Sequence, residues 1–76
     1  MPLARIDLLK GKDAAFKAEI GRQIYEAMRS VGVPENDRFQ VIHEHESDNF
    51  LFDPNYLNIS RTKDLVIIQI TWKPYA

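Results

Sequence analysis

Pro2 carries the most latent chemistry in this chain. The sequence opens Met1-Pro2-Leu3, and removal of the initiator methionine would leave Pro2 as a free secondary amine. Such an amine can act as a base, an acid or a nucleophile, whereas a proline nitrogen inside a peptide bond can do none of these. The other reactive groups are side chains. His43 and His45 alternate on one face of a strand-like stretch. That spacing could suit a metal, but no clear third ligand accompanies them, and ordinary strand histidines are the commoner case. Arg61 and Lys63 stand just before an apolar run and could serve an anionic ligand, although solvated loop charges are more common. Asp7 would pair with Arg5 or with a cross-strand base. Gly11-Lys12 has no companion glycines, so it reads as a solvated turn rather than a phosphate loop. Asn58-Ile59-Ser60 matches a glycosylation triplet, which has no consequence without secretion.

The elements that must position these groups follow from periodicity. Leu3 to Leu9 alternates with Ala4, Ile6 and Leu8 on one face and Leu3, Arg5, Asp7 and Leu9 on the other, which predicts a strand. Gly11 breaks it and Asp13 is a suitable N-cap. From 14 to 30 the apolar residues Phe16, Ile20, Ile24, Ala27 and Met28, continued by Val31, recur at helical steps. Glu19 with Gln23 and Arg22 with Glu26 stand one turn apart on the polar side. Gly21 costs helix stability and would allow the close approach of a neighbouring backbone. Tyr25 and Met28 read as packing groups. Gly32 ends the helix and Pro34 prevents its resumption.

Arg38 to Glu44 then forms a second strand, with Phe39, Val41 and His43 on one face. Strand, helix and strand make a β-α-β unit with parallel strands. The segment 46–63 is an irregular loop or hairpin, with Phe50-Leu51-Phe52 as an apolar island that would form a hairpin arm or a subunit contact. Leu65 to Trp72 is β-branched and nearly continuous, as expected of a strand covered on both faces. Left unpaired it would be an aggregation hazard, so it should pair across a subunit boundary or belong to a longer architecture. The expected organisation is one α/β (α+β) domain over 1–76: a β-α-β unit over 1–45, the loop or hairpin over 46–63, and a further C-terminal strand over 64–72.

Composition narrows the function classes. The chain has 76 residues, no cysteine and a formal charge of −1. Disulfide and thiolate metal sites are excluded, and the charge argues against non-specific nucleic-acid binding. No apolar run approaches the ~20 residues of a membrane span, and no secretory leader is apparent, so a cytoplasmic location is expected. So short a chain, with helix on only one sheet face, is expected to complete its core by oligomerisation.

Several stretches together carry a resemblance. Met1-Pro2-Leu3, Ile6-Asp7-Leu8-Leu9-Lys10-Gly11, Gly32-Val33-Pro34-Glu35-Asn36-Asp37-Arg38-Phe39-Gln40, Phe52-Asp53-Pro54 and Ser60-Arg61 followed by Leu65 to Thr71 resemble the tautomerase superfamily. Its members use an amino-terminal proline. The likeness is to the long, trimeric branch that includes malonate semialdehyde decarboxylase, and it covers nearly the whole chain in order. Members of that branch contain two consecutive β-α-β units. By that standard this chain looks like little more than half a protomer, stopping after the first strand of the second unit.

The resemblance implies a cofactor-independent tautomerase or isomerase, with no metal, acting by proton transfer on a small 2-oxo acid or its enol. It implies Pro2 as catalytic base or acid, its pKa brought down toward neutrality in a dry pocket. Asp37 resembles an acidic residue that polarises substrate or water, with a plain turn carboxylate as the other reading. The substrate carboxylate is usually held by arginines after the third strand. Here Lys73 and Tyr75 stand there, so Lys73, Arg38 and Arg61 are the candidate cations, and a lysine lacks the bidentate fork of an arginine. The implied partners are a small carboxylate-bearing substrate and further copies of the chain, as trimer or hexamer. The implied alternative is an inactive, truncated tautomerase-fold oligomer or small-anion-binding protein.

Overall fold

The computed structural model describes residues 1–73. Three strands form one sheet: β1 (Leu3–Leu9), β2 (Gln40–His45) and β3 (Val66–Thr71) in the order β2-β1-β3. One helix, α1 (Ala14–Ser30), connects β1 to β2, and one-turn 3-10 helices at Ser47–Asn49 and Tyr56–Asn58 lie on the way to β3. β1 pairs with β2 in parallel, Ala4 opposite Gln40 and Leu9 opposite His45. The β-α-β unit therefore stands as the sequence predicts.

The helix forms where its end signals lie. The Asp13 carboxylate accepts a hydrogen bond from the Phe16 amide at 2.8 Å, satisfying one of the orphan donors of the first turn. At the other end Gly32, at φ 106°, donates to Arg29 O while Val33 donates to Met28 O. This double closure needs a residue in the left-handed region, which glycine enters without steric cost. Phe16, Ile20, Ile24 and Met28 turn inward as their spacing requires, and Gly21 is buried among them. Ala27 and Val31, expected on the same stripe, are exposed. Tyr25 and the stem of Lys17 take that face instead. On the outer side Arg22 pairs with Glu19 at 2.6 Å, joined by Gln23 at 3.0 Å, rather than forming the expected pair with Glu26. Glu19 lies within reach of both donors at once, which favours that arrangement.

The core is centred on β1. Ala4, Ile6 and Leu8 are buried under the helix, Ile6 completely. Around them close Leu9, Val33 and Phe50. Phe50 is thus neither hairpin arm nor exposed contact: its ring stacks on His45 at 5.8 Å. Leu51 beside it is exposed.

β3 departs from expectation in two ways. It pairs within the chain, antiparallel to β1, with Leu3 opposite Thr71 and Leu8 opposite Val66. It is also not covered on both faces. Ile67 on one face, and Ile68 and Ile70 on the other, are each more than two-fifths exposed. The cause is geometric: α1 crosses from β1 to β2 and leaves the β3 side of the sheet without a helix.

Two carboxylates make the fold acid-sensitive. Arg22, then Gln23, hold Glu19 down to about 2 from an ordinary value of 4.5. Lys17, bonded at 2.7 Å, lowers Glu44 and ties α1 to β2. Both carboxyls titrate lower folded than unfolded. Their contribution is therefore full above about pH 4.5 and is lost as the pH falls toward 2. Thermal melts across that window should show Tm falling with pH, and Glu44→Gln should flatten part of the slope. An unchanged slope would contradict this origin.

Candidate active site

Parallel pairing of β1 and β2 puts the beginnings of both strands at one end of the sheet, and antiparallel β3 ends there too. A small cavity of about 20 Å³ lies at this end, in contact with Pro2, Tyr25, Met28, Asp37, Gln40 and Ile70. Pro2 is buried. The Ala4 amide donates to Phe39 O at 3.0 Å, which continues the β1–β2 ladder toward the chain start and fixes Pro2 beside the segment that carries Asp37. The amino group of Met1 lies 4.0 Å from Asp37 Oδ2, and the Asp37 side chain is largely shielded.

The turn before β2 positions its acid by backbone geometry. Asn36 stands at φ 68°, a conformation asparagine tolerates better than most residues, and its amide donates to the Tyr25 hydroxyl at 3.1 Å. The Asp37 amide donates to Pro34 O at 3.3 Å. Tyr25 is thereby held at the cavity by its oxygen. It lines the cavity as well as packing from the helix, the role its spacing marks for it. The signal that could have singled it out is the one-turn step from Gly21.

Arg38 adjoins the cavity. Its guanidinium lies 5.5 Å from the centre of the Tyr25 ring, and its Nε donates to Gln40 Oε1 at 3.2 Å. Gln40 in turn donates through Nε2 to Gly21 O at 3.0 Å. Gly21 makes this possible. A Cβ there would come within 2.7 Å of Gln40 Oε1 and 2.8 Å of the Arg38 guanidinium. The close approach is thus of side-chain polar groups rather than of backbone.

The other cations are placed differently. Arg61 does not line the cavity, and its guanidinium donates to the carbonyls of Tyr56 at 2.9 Å and Ile59 at 3.2 Å, bracing the loop before β3. Leu57 and Asn58 in that loop both adopt positive φ. Lys73 is exposed, and continuing the β1–β3 register sets it opposite Met1, at the cavity end of the sheet. Tyr75 falls outside the described residues. His45 bonds Asp7 at 2.6 Å, so the cross-strand base that Asp7 meets is this histidine, and His43 lies 6.4 Å from it, ring to ring.

Comparison with known proteins bears on this arrangement. The family described as tautomerase enzyme matches residues 37–74, from Asp37 through β3. The chain belongs to the tautomerase family. It is 38% identical over 74 residues to the probable tautomerase YusQ of Bacillus subtilis (strain 168), covering 96% of this chain and 58% of that one. It is 34% identical to the probable tautomerase YrdN of the same organism, covering 96% and 57%. Among solved structures it resembles the FG41 malonate semialdehyde decarboxylase inhibited by 3-bromopropiolate. The TM-score is 0.76 at 27% identity, over 87% of this chain and 51% of that one. Within the tautomerase superfamily the chain falls with the malonate semialdehyde decarboxylase-like branch. It spans between half and three-fifths of the length of these tautomerase relatives.

Gly21→Ala tests the packing behind the site. A better helix former adds up to about 1 kcal/mol, offset by loss of the Gln40 bond, worth about 0.5–1.5 kcal/mol. Stability should change little, while NMR resonances of the Arg38 and Gln40 side chains shift. Unmoved resonances, or a chain that no longer folds, would contradict the contact.

Proposed function

We propose that the protein, once Met1 is removed, is a cofactor-independent tautomerase that moves a proton within a small 2-oxo acid or its enol through Pro2. The observation that carries this reading is a buried second-position proline at a cavity shared with Asp37 and Tyr25. The neutral Pro2 nitrogen takes the proton next to the substrate carbonyl, and the electron pair left behind forms the enolate. The Tyr25 hydroxyl donates to the developing oxyanion, and Arg38 or Lys73 balances the substrate carboxylate. The proline ammonium then returns its proton at carbon or oxygen, which restores the amine. Asp37 beside the chain start holds the ammonium between the two transfers.

A cavity of about 20 Å³ accommodates little more than a water. A substrate needs further walls, and the uncovered Ile68 and Ile70 beside it offer the surface on which they would rest. We assign that covering to another copy of the chain in a homo-oligomer.

A second reading applies if Met1 is retained. With Met1 in place the Pro2 nitrogen is an amide, and the charged amine that meets Asp37 belongs to Met1. A protein that retains Met1 would be a catalytically silent member that keeps the fold and an anion-binding surface.

Intact mass combined with keto–enol conversion of phenylpyruvate separates the two. The expected outcome is a mass lacking methionine and turnover that falls at least about 100-fold in Pro2→Ala. Asp37→Asn should retain the fold and lose about 10-fold or more. 3-Bromopropiolate, the inhibitor of the solved relative, should inhibit turnover by the processed protein. Full turnover in Pro2→Ala, or in protein that keeps Met1, would overturn the proposal.

A further inference from the structure

At the end of the sheet remote from Pro2 lies a second and larger cavity, about 380 Å³, lined in part by Lys10, Lys12, Lys63, His45, Ser47 and Glu46. We propose that it is a binding site for a small phosphate-bearing anion. The seven residues of β1 separate it from the proline end by about 20 Å at ~3.3 Å per residue. The inference is independent of the proposed proton-transfer chemistry.

Three chain segments converge here. The turn after β1 swings through Gly11 at φ 119°, which brings both Lys10 and Lys12 to the same cavity. The Lys10 amide donates to His45 O at 2.9 Å and continues the β1–β2 ladder into this wall. His45 is held by Asp7 at 2.6 Å and by stacking on Phe50, so its ring forms a fixed side of the cavity. Lys63 arrives from the loop before β3. The volume falls in the range of small-ligand pockets.

Charge identifies the ligand class. Three ammonium groups face one lining carboxylate, Glu46, which pairs with Lys10 at 3.3 Å. Asp64 pairs with Lys12 from beyond the lining. Both carboxylates are about two-thirds exposed, and such surface pairs contribute little and are readily exchanged. Glu44, bonded to the Gly11 backbone and interacting with Lys10, is matched by Lys17, and Asp7 is held by His45. Among the described residues Lys63 has no ion pair or hydrogen bond, so its ammonium is the unmatched charge at the cavity. A phosphate dianion presents several oxygens to lysines on different sides and meets each as a point charge, the manner in which lysine binds phosphate. It would displace Asp64 and Glu46 from their lysines.

The test is an NMR titration with inorganic phosphate and, separately, with glycerol 3-phosphate, at constant ionic strength made up with sodium chloride. The expected result is saturable movement of the Lys12, Ser47 and Lys63 amides, with those of Ala4 and Asp37 still. Lys63→Ala should weaken binding about five-fold, as loss of one solvent-facing charge contact would. Asp64→Asn should tighten it by removing a competitor. Asp53→Asn, which changes the net charge equally but lies outside the cavity lining, should leave it unchanged. Shifts that rise without saturating, equal binding by Lys63→Ala, or equal tightening by the two asparagine variants would overturn the site.

Discussion

Everything in this fold depends on β1 being paired on both edges. Its residues meet β2 in parallel and β3 antiparallel, and its inner face carries Ala4, Ile6 and Leu8 into the core. A central strand at the start of the chain places the chain start in the middle of a sheet rather than at a frayed edge. Pro2 is therefore buried one residue before the strand begins. The parallel partner then delivers the turn carrying Asp37 to the same end, because two parallel strands begin side by side. The active-site hypothesis rests on this topology more than on any single contact. Burial of an Ile6-sized side chain contributes roughly 1.5–3 kcal/mol. Losing it would weaken the strand that aligns both reactive groups.

The same topology leaves surfaces unsatisfied. One helix spans β1 and β2, so the β3 side of the sheet shows Ile68 and Ile70, and the opposite face shows Val41 and Ile67. Apolar exposure at Ile68 and Ile70, two neighbours on one face, suits a surface covered in an assembly. It adjoins the cavity at Ile70. On the proposed reading, completion of the core and completion of the substrate pocket are one structural requirement. The far end of the sheet is different in kind: its cavity is walled by lysines and a fixed histidine, and its character is electrostatic.

Much of this was legible in the residues. The alternation in Leu3–Leu9, the Asp13 cap and the Gly32 stop predicted strand and helix because each is a local signal read over a few positions. The pairing of β3 was not legible, since a β-branched run such as Val66–Thr71 is equally at home beside a strand of its own chain or of another. Its covering was not legible for the same reason, because local pattern cannot report which layer lies above. At the site, Pro2 and Asp37 were singled out by position and resemblance, and the cavity touches both. Tyr25 and Gln40 were not, because their contacts join segments far apart in the chain: the Asn36 amide reaches the Tyr25 hydroxyl across 11 residues, and Gly21 lets Gln40 press against the helix across 19. Arg61 looked like a ligand-binding cation, yet its guanidinium braces its own loop. The lysine turn at Gly11 lacked a phosphate-loop pattern, and only the fold brings Lys63 to it.

The most direct test of the central claim is a crystal structure of the Met1-free protein with a bound 2-oxo acid. The expected result places the ligand between Pro2, Tyr25 and Asp37, with the proline nitrogen facing the carbon next to the ligand carbonyl. A ligand seated only at the lysine-walled end, or a proline nitrogen turned away from the ligand, would contradict it.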